Sequence, residues 1–389
     1  MLLMCFEGSV GWAQGPLTPP GGPGPTMKTL DQIEPRKPIS ALDIPLTITA
    51  PGSYFLTEDI AHPVSDAITI SSNDVSIDLN GFTIGKNREV GAGIISSGSF
   101  SGIAISNGSL RNCGAQGCSL PLCNNVHLTN VTASYSGLRN FELGNDCYVS
   151  GCVAIGYSDI GDDGFLAGSN CIFSNCIADS NSGYGFAAYS NCSFHGCIAS
   201  KNRRSGISGG TNILVEGCIA DQNHLEGINV DAESIIMNCT STYNLGGGFS
   251  LPSDGILVFG CRAYRNGQHG FDAGWAASGD GTRITNCVAR ENGDDGIRLY
   301  HSGSAEDNTC IGNTGFGIAA SGGSSIIERN HLISNAAGGI SASGGNHAIF
   351  GNRATPKANA FVTSDSITIG QIIDGPGTIA GDPYSNVRF

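Results

Sequence analysis

Between Ser174 and His224 the chain reads SNCIADSNS (174–182), HGCIASKNR (195–203) and EGCIADQNH (216–224), one phrase written three times at a spacing of 21 residues. The phrase extends outward as SGCVAIGYS at 150, MNCTSTYNL at 237, FGCRAYRNG at 259 and TNCVARENG at 285. Its anchor cysteines are Cys152, Cys176, Cys197, Cys218, Cys239, Cys261, Cys287 and Cys310, separated by 24, 21, 21, 21, 22, 26 and 23 residues. Weaker copies at Asn80-Gly81, Asn107-Gly108, Asn130-Val131, Asn330-His331 and Asn352-Arg353 bring the total to thirteen. A fixed period of this length is the signature of a repeat architecture.

Each copy carries a second signal about a dozen residues after the cysteine: Gly followed by Phe or Ile, from Gly164-Phe165 and Gly185-Phe186 to Gly317-Ile318 and Gly339-Ile340. The apolar runs are three to five residues long, too short for helices, and Leu is too scarce for leucine-rich repeats. Short strands joined by tight turns remain, each strand pairing in parallel with its copy one coil along, at a rise of about 4.8 Å. The expected fold is all-β: a single right-handed parallel β-helix, a solenoid of about thirteen coils of 21–26 residues. Such a core grows in one dimension, so a chain of 389 residues needs no division into globular domains.

Stacking puts equivalent residues in columns. Five residues after the anchor cysteine stand Asn181, Asn202, Asn223, Asn244, Asn266 and Asn292, an amide ladder that satisfies buried turn amides. The cysteines are expected to point inward as small free thiols. A second column, Cys147, Cys171 and Cys192, lies five residues before three anchors. Cys113, Cys118 and Cys123 break the period, which makes them the expected place for a disulfide.

Composition narrows function. The chain has 33 acidic and 19 basic residues, a net charge of −14, with 13% charged residues and 58 glycines. This excludes a nucleic-acid groove, and no run reaches the roughly 18 apolar residues of a membrane-inserted helix. Residues 1–14 read as a signal-peptide remnant ending in Gly-Trp-Ala before Gln14, which implies a secreted, periplasmic or cell-surface protein. Residues 15–41 are a Pro/Gly-rich linker, 42–64 an N-terminal cap, 65–355 the β-helix, and 356–389 a C-terminal cap or a tail for oligomer contacts.

The repeat, the Asn ladder and the opening LNGFTI (79–84) resemble the right-handed parallel β-helix repeat proteins, the superfamily of pectate lyases, polygalacturonases, alginate epimerases and phage tailspikes. The resemblance covers roughly residues 65–355 and implies a carbohydrate-active protein, either polysaccharide lyase or glycoside hydrolase, without fixing which. The paired aspartates of Asp162-Asp163-Gly164 and Asp294-Asp295-Gly296 are similar to those of the polygalacturonases. That family's Gly-His-Gly and Arg-x-Lys motifs follow the aspartates, whereas here Gln268-His269-Gly270 precedes Asp294 and no Arg-x-Lys follows, so no role is carried across. The five lysines are scattered, unlike a lyase's basic signature.

Function on a solenoid sits on outward columns. The residues before and after the Gly pair gather Glu226, Asn229, Asp231, His269, Asp272, Trp275, Asp294, Asp295, Arg298, Tyr300 and His301 on a few coils, where other coils hold Ala, Ser and Gly. Asp295, Asp272 and Glu226 are candidate acid and base, with His269 assisting proton transfer. In elimination Arg298 or His269 would take the proton while acidic residues held Ca²⁺. Asn229, Asp231, Trp275, Asp294, Tyr300 and His301 would bind saccharide. The competing reading is a non-catalytic surface or adhesion module that binds glycan or protein, in which Asp and Asn before a turn serve turn geometry and Asp272–Arg298 is only an ion pair.

Overall fold

The computed structural model describes residues 35–61, 65–85, 90–157, 163–274, 281–355, 359–364, 367–374 and 384–388. Contacts divide the chain into 1–36 and 37–389, and the second unit holds the fold. The expected signal remnant and residues 15–34 of the expected linker lie outside the described residues, as do Asp162 and Trp275.

One coil illustrates the plan. Ile172–Ser174, Ile177–Asp179 and Phe186–Ala188 are its three strands. Each pairs in parallel with the next coil, Phe173 on Phe194, Ala178 on Ala199 and Phe186 on Ile207. First and second strands share a 29-stranded sheet and third strands form a 15-stranded one, all parallel, giving about 14 turns. The count exceeds the thirteen copies because the ends also pair. Leu46–Ile48 lies on Ile68–Ile70 and Phe361–Thr363 on Gly338–Gly345, so segments expected as caps are built as coils.

The sequence dictates this local geometry. The residue before each anchor from Cys152 to Cys287 sits at positive φ, Asn175 at 53° and Gly196 at 61°, a region open to Gly and Asn, hence the recurrent Asn-Cys and Gly-Cys. The glycine of each Gly-Ile or Gly-Phe pair is required by space: a Cβ on Gly206 would lie 2.7 Å from both Asn223 Nδ2 and Gly227 O. Inside, Phe141, Phe165 and Phe186 stack face to face at 4.7 and 4.9 Å, one ring per coil.

The ladder is present and longer than the sequence suggests. Asn202 donates its N–H to Asn223 Oδ1 at 3.0 Å and its Nδ2–H to the same oxygen at 2.9 Å, and the series continues through Asn313 to Asn335. One anchor is corrected. Cys310 pairs with Ala289, one column over, and the position above Cys287 belongs to Asn308. The cause is a change of residue type in the column, from cysteine to Asn308, Asn330, Asn352 and Asn386, a second ladder. The expected bridge among Cys113, Cys118 and Cys123 is also corrected. All three are buried free thiols, as are the other described cysteines. Burial pushes the Cys113 thiol up to about 12, as expected for an inert core group.

Candidate functional site

The site lies on the third strands of the coils from 226 to 300. Alternate residues of these strands point outward: Phe271–Ala273 and Ile297–Tyr300 bury Phe271, Ala273, Ile297 and Leu299 and leave Asp272, Arg298 and Tyr300 part-exposed. Parallel register sets Asp272 beside Arg298, where Arg298 Nε donates to Oδ1 at 2.8 Å and Nη2 to Oδ2 at 2.6 Å. The guanidinium lies 4.9 Å from the centre of the Tyr300 ring. With Glu226, Ser250, Pro252 and Gln268 these residues line a concavity of about 470 Å³. Glu226 accepts a hydrogen bond from the Ser205 hydroxyl at 2.9 Å.

Four expected site residues therefore meet in one concavity: Glu226, Asp272, Arg298 and Tyr300. Three others, His269, Asp294 and Asp295, form the turn beside it, with one ligating atom each within 4.8 Å of the other two. Asn229 faces Ser208 and Ser250, and Asp231 accepts a bond from Ser253 at 3.1 Å, both outside the lining. His301 closes the strand at φ 59° and is likewise not part of the lining. Ser250, Pro252 and Gln268 were absent from the expected set. Ser250 shares the column of Asp272, and that column was the available signal.

The column before the Gly pair faces outward at Glu226 but not, as expected, at His269 and Asp295. His269 is 5% and Asp295 8% exposed, because this column lies at a corner where side chains cap the next coil. Asp66 accepts the Ala92 N–H at 2.8 Å, Asp163 that of Tyr184 at 2.8 Å, and Asp295 that of Phe316 at 2.7 Å. His269 Nδ1 accepts the Asp295 N–H at 3.2 Å. That bond makes Nδ1 the unprotonated nitrogen and places the ring proton on Nε2, which faces Asp294 Oδ2 at 3.5 Å. The 3.4 Å approach of Nδ1 to Asp295 Oδ2 is then a contact rather than an ion pair.

Asp163 and Asp295 differ in their surroundings. Asp163 has Arg139 Nε at 3.5 Å as counter-charge. Asp295 has the His269 ring and a second carboxylate beside it. Burial pushes its carboxyl above the usual aspartate range, against the Phe316 N–H, which draws it down. The side chain of Asp294 is 55% exposed.

Two of the donors in this set are already engaged. His269 Nδ1 is occupied by a backbone N–H, so Nε2 keeps its proton, and one oxygen of Asp295 is committed to Phe316.

A family model described as "Right handed beta helix region" matches residues 206–330 and 279–370. No curated protein matches. Among solved structures, the A-module of mannuronan C-5 epimerase AlgE4 from Azotobacter vinelandii is 14% identical, with 81% of this chain and 88% of that chain covered and a TM-score of 0.44. The periplasmic alginate epimerase AlgG is 14% identical over 79% and 78%, TM-score 0.44. The catalytic unit of a GH87 α-1,3-glucanase from Streptomyces thermodiastaticus is 14% identical over 81% and 62%, TM-score 0.41. These are similarities of fold and no more. Among the described residues the strands from Lys37 onward pair in parallel, and the chain folds as a right-handed parallel β-helix.

Proposed function

We propose that this protein acts on carbohydrate outside the cytoplasm, binding a neutral saccharide in the Glu226–Asp272–Arg298–Tyr300 concavity and hydrolysing it at Asp294 and Asp295. The observation that carries the reading is the pair of neighbouring carboxylates held in opposed environments, one exposed and one buried with its acidity weakened. Such a divergence assigns a general acid and an ionised partner.

Asp295, through Oδ2, donates a proton to the glycosidic oxygen, and Asp294 attacks the anomeric carbon with the His269 Nε2–H facing its oxygen. Water then releases the sugar, with Asp295 as base. One oxygen of each carboxylate lies within 4.8 Å of the other, a close approach that suits the short separation of a retaining pair. Elimination is the weaker reading, since it needs a base. Arg298 is held in a two-bond pair and His269 Nε2 carries a proton. Glu226, Asp272 and Asp294 against Arg298 leave the region net negative, which suits a neutral saccharide better than a uronate chain.

One observation favours the non-catalytic alternative: Asp66 and Asp163 make the same backbone bond as Asp295 without a histidine one coil back. The two readings separate by digesting neutral and uronate polysaccharides with the full chain and following the product anomer and unsaturation by NMR. Retention at the cleaved bond is expected. Unsaturated products would establish elimination, and binding without cleavage would establish the adhesion reading.

A further inference from the structure

A different face of the solenoid carries a second constellation. It lies on the second strands, where Arg262–Tyr264 pairs with Thr240–Thr242 on one side and Val288–Arg290 on the other. A concavity of about 370 Å³ opens there, lined by Arg262, Tyr264, Val288, Arg290 and the two threonines, with Ile311 at its edge. Arg265 sits beside it.

Two of the three guanidinium groups are held in place by one carboxylate. Glu291 accepts from Arg265 Nε at 2.7 Å and from Arg290 Nε at 2.8 Å. The Tyr264 ring lies near both, with ring centre to guanidinium distances of 5.0 and 5.7 Å. Because Glu291 engages the Nε edges, the Nη ends are left as the outer donors. Arg265 Nη1 reaches only the Tyr243 hydroxyl, at 3.4 Å. Arg262 is exposed and has no side-chain partner among the described residues. Asp221, two coils back, is engaged by the Thr242 hydroxyl at 2.7 Å. Three guanidinium groups thus face one carboxylate, in a chain whose net charge is −14. General attraction of anions is not expected from such a chain, so a positive site on it is local.

We infer that this concavity binds a tetrahedral oxyanion ester, sulfate or phosphate, carried on a sugar ring. Arg262 and Arg290 stand diagonally on neighbouring coils, so their donors approach an anion from separate directions. That suits oxygens arranged around a tetrahedral centre better than the two coplanar oxygens of a carboxylate. Thr240 and Thr242 offer hydroxyls to the ring's own hydroxyls, while Val288 and Ile311 supply apolar surface for its C–H face. The pinned guanidinium groups lose little freedom on binding. The site shares no residue with the proposed saccharide concavity and stands or falls separately from it.

The test is calorimetric titration of the full chain with glucose 6-sulfate, glucose 6-phosphate, glucose 6-carboxylate (glucuronate) and glucose. The expected result is binding of an ester and none of glucose, with the tighter ester identifying the source. Arg262→Gln and Arg290→Gln should each weaken it about tenfold, as loss of a charge-assisted pair implies, while the distant Arg329→Gln leaves it unchanged. Far-UV circular dichroism checks that each variant is folded. Absence of ester binding, equal affinity for glucuronate, or undiminished affinity in both Gln variants would overturn the inference.

Discussion

Cys261 donates its backbone N–H to Cys287 Sγ at 3.4 Å, and one coil on Cys287 donates its own to Asn308 Oδ1 at 2.9 Å. Sulfur and amide oxygen serve the same turn, so the column tolerates either. Cys287→Asn should leave stability within about 1 kcal/mol, whereas Cys287→Ala orphans the Cys261 N–H and should cost about 1–3 kcal/mol. Urea denaturation distinguishes the two, and equal losses would refute the acceptor role. Asp295 differs in sign. Its folded-state pKa is raised, so its contribution to stability is fully present below the unfolded value of 3.8 and is lost as pH rises through the folded value. Asp295→Asn keeps an acceptor for the Phe316 N–H without the charge. It should therefore melt above wild type at neutral pH, by a margin that narrows towards pH 3.8. A margin that widens on acidification would contradict the burial argument.

At the scale of the element, legibility follows from what each position must do. Gly206 and Asn223 are visible in sequence because one cannot carry a Cβ and the other must offer both donor and acceptor to its neighbours. Gly206→Ala drives a methyl against Asn223 Nδ2 and Gly227 O and should destabilise by about 1–3 kcal/mol, read from the same denaturation curves. Left-handed turns at Lys201, Gln222, Tyr243, Arg265 and Glu291 carry no such mark, because the following ladder Asn imposes the conformation on whatever residue stands there. The site was partly legible for the same reason. Strand alternation placed Asp272, Arg298 and Tyr300 outward, as found. It could not reveal that the column of His269 and Asp295 turns inward, since Asp before Gly reads alike whether it caps a coil or faces solvent. The two-bond closure of Asp272 on Arg298 depends on side-chain geometry that spacing does not specify.

For the whole molecule, stability is a sum of neighbouring coil contacts, so a coil can be removed without loss of the rest. Deleting residues 198–218 joins Cys197 to Ile219, whose register partner is Ile198, and lets Asn181 meet Asn223 as the next rung. The shortened chain should keep its β-sheet circular dichroism and melt cooperatively at a somewhat lower temperature; loss of folding would show that coils are not interchangeable. The same periodicity supplies the control for function, since Asp163 and Asp295 cap their next coils alike, and Asp163 has Arg139 where Asp295 has His269. The most direct measurement is therefore reducing-end release from neutral polysaccharides by wild type, Asp295→Asn and Asp163→Asn. The account expects release to vanish in Asp295→Asn and to persist in Asp163→Asn, with both variants folded. Equal activity in the two variants, or none in wild type, would contradict it.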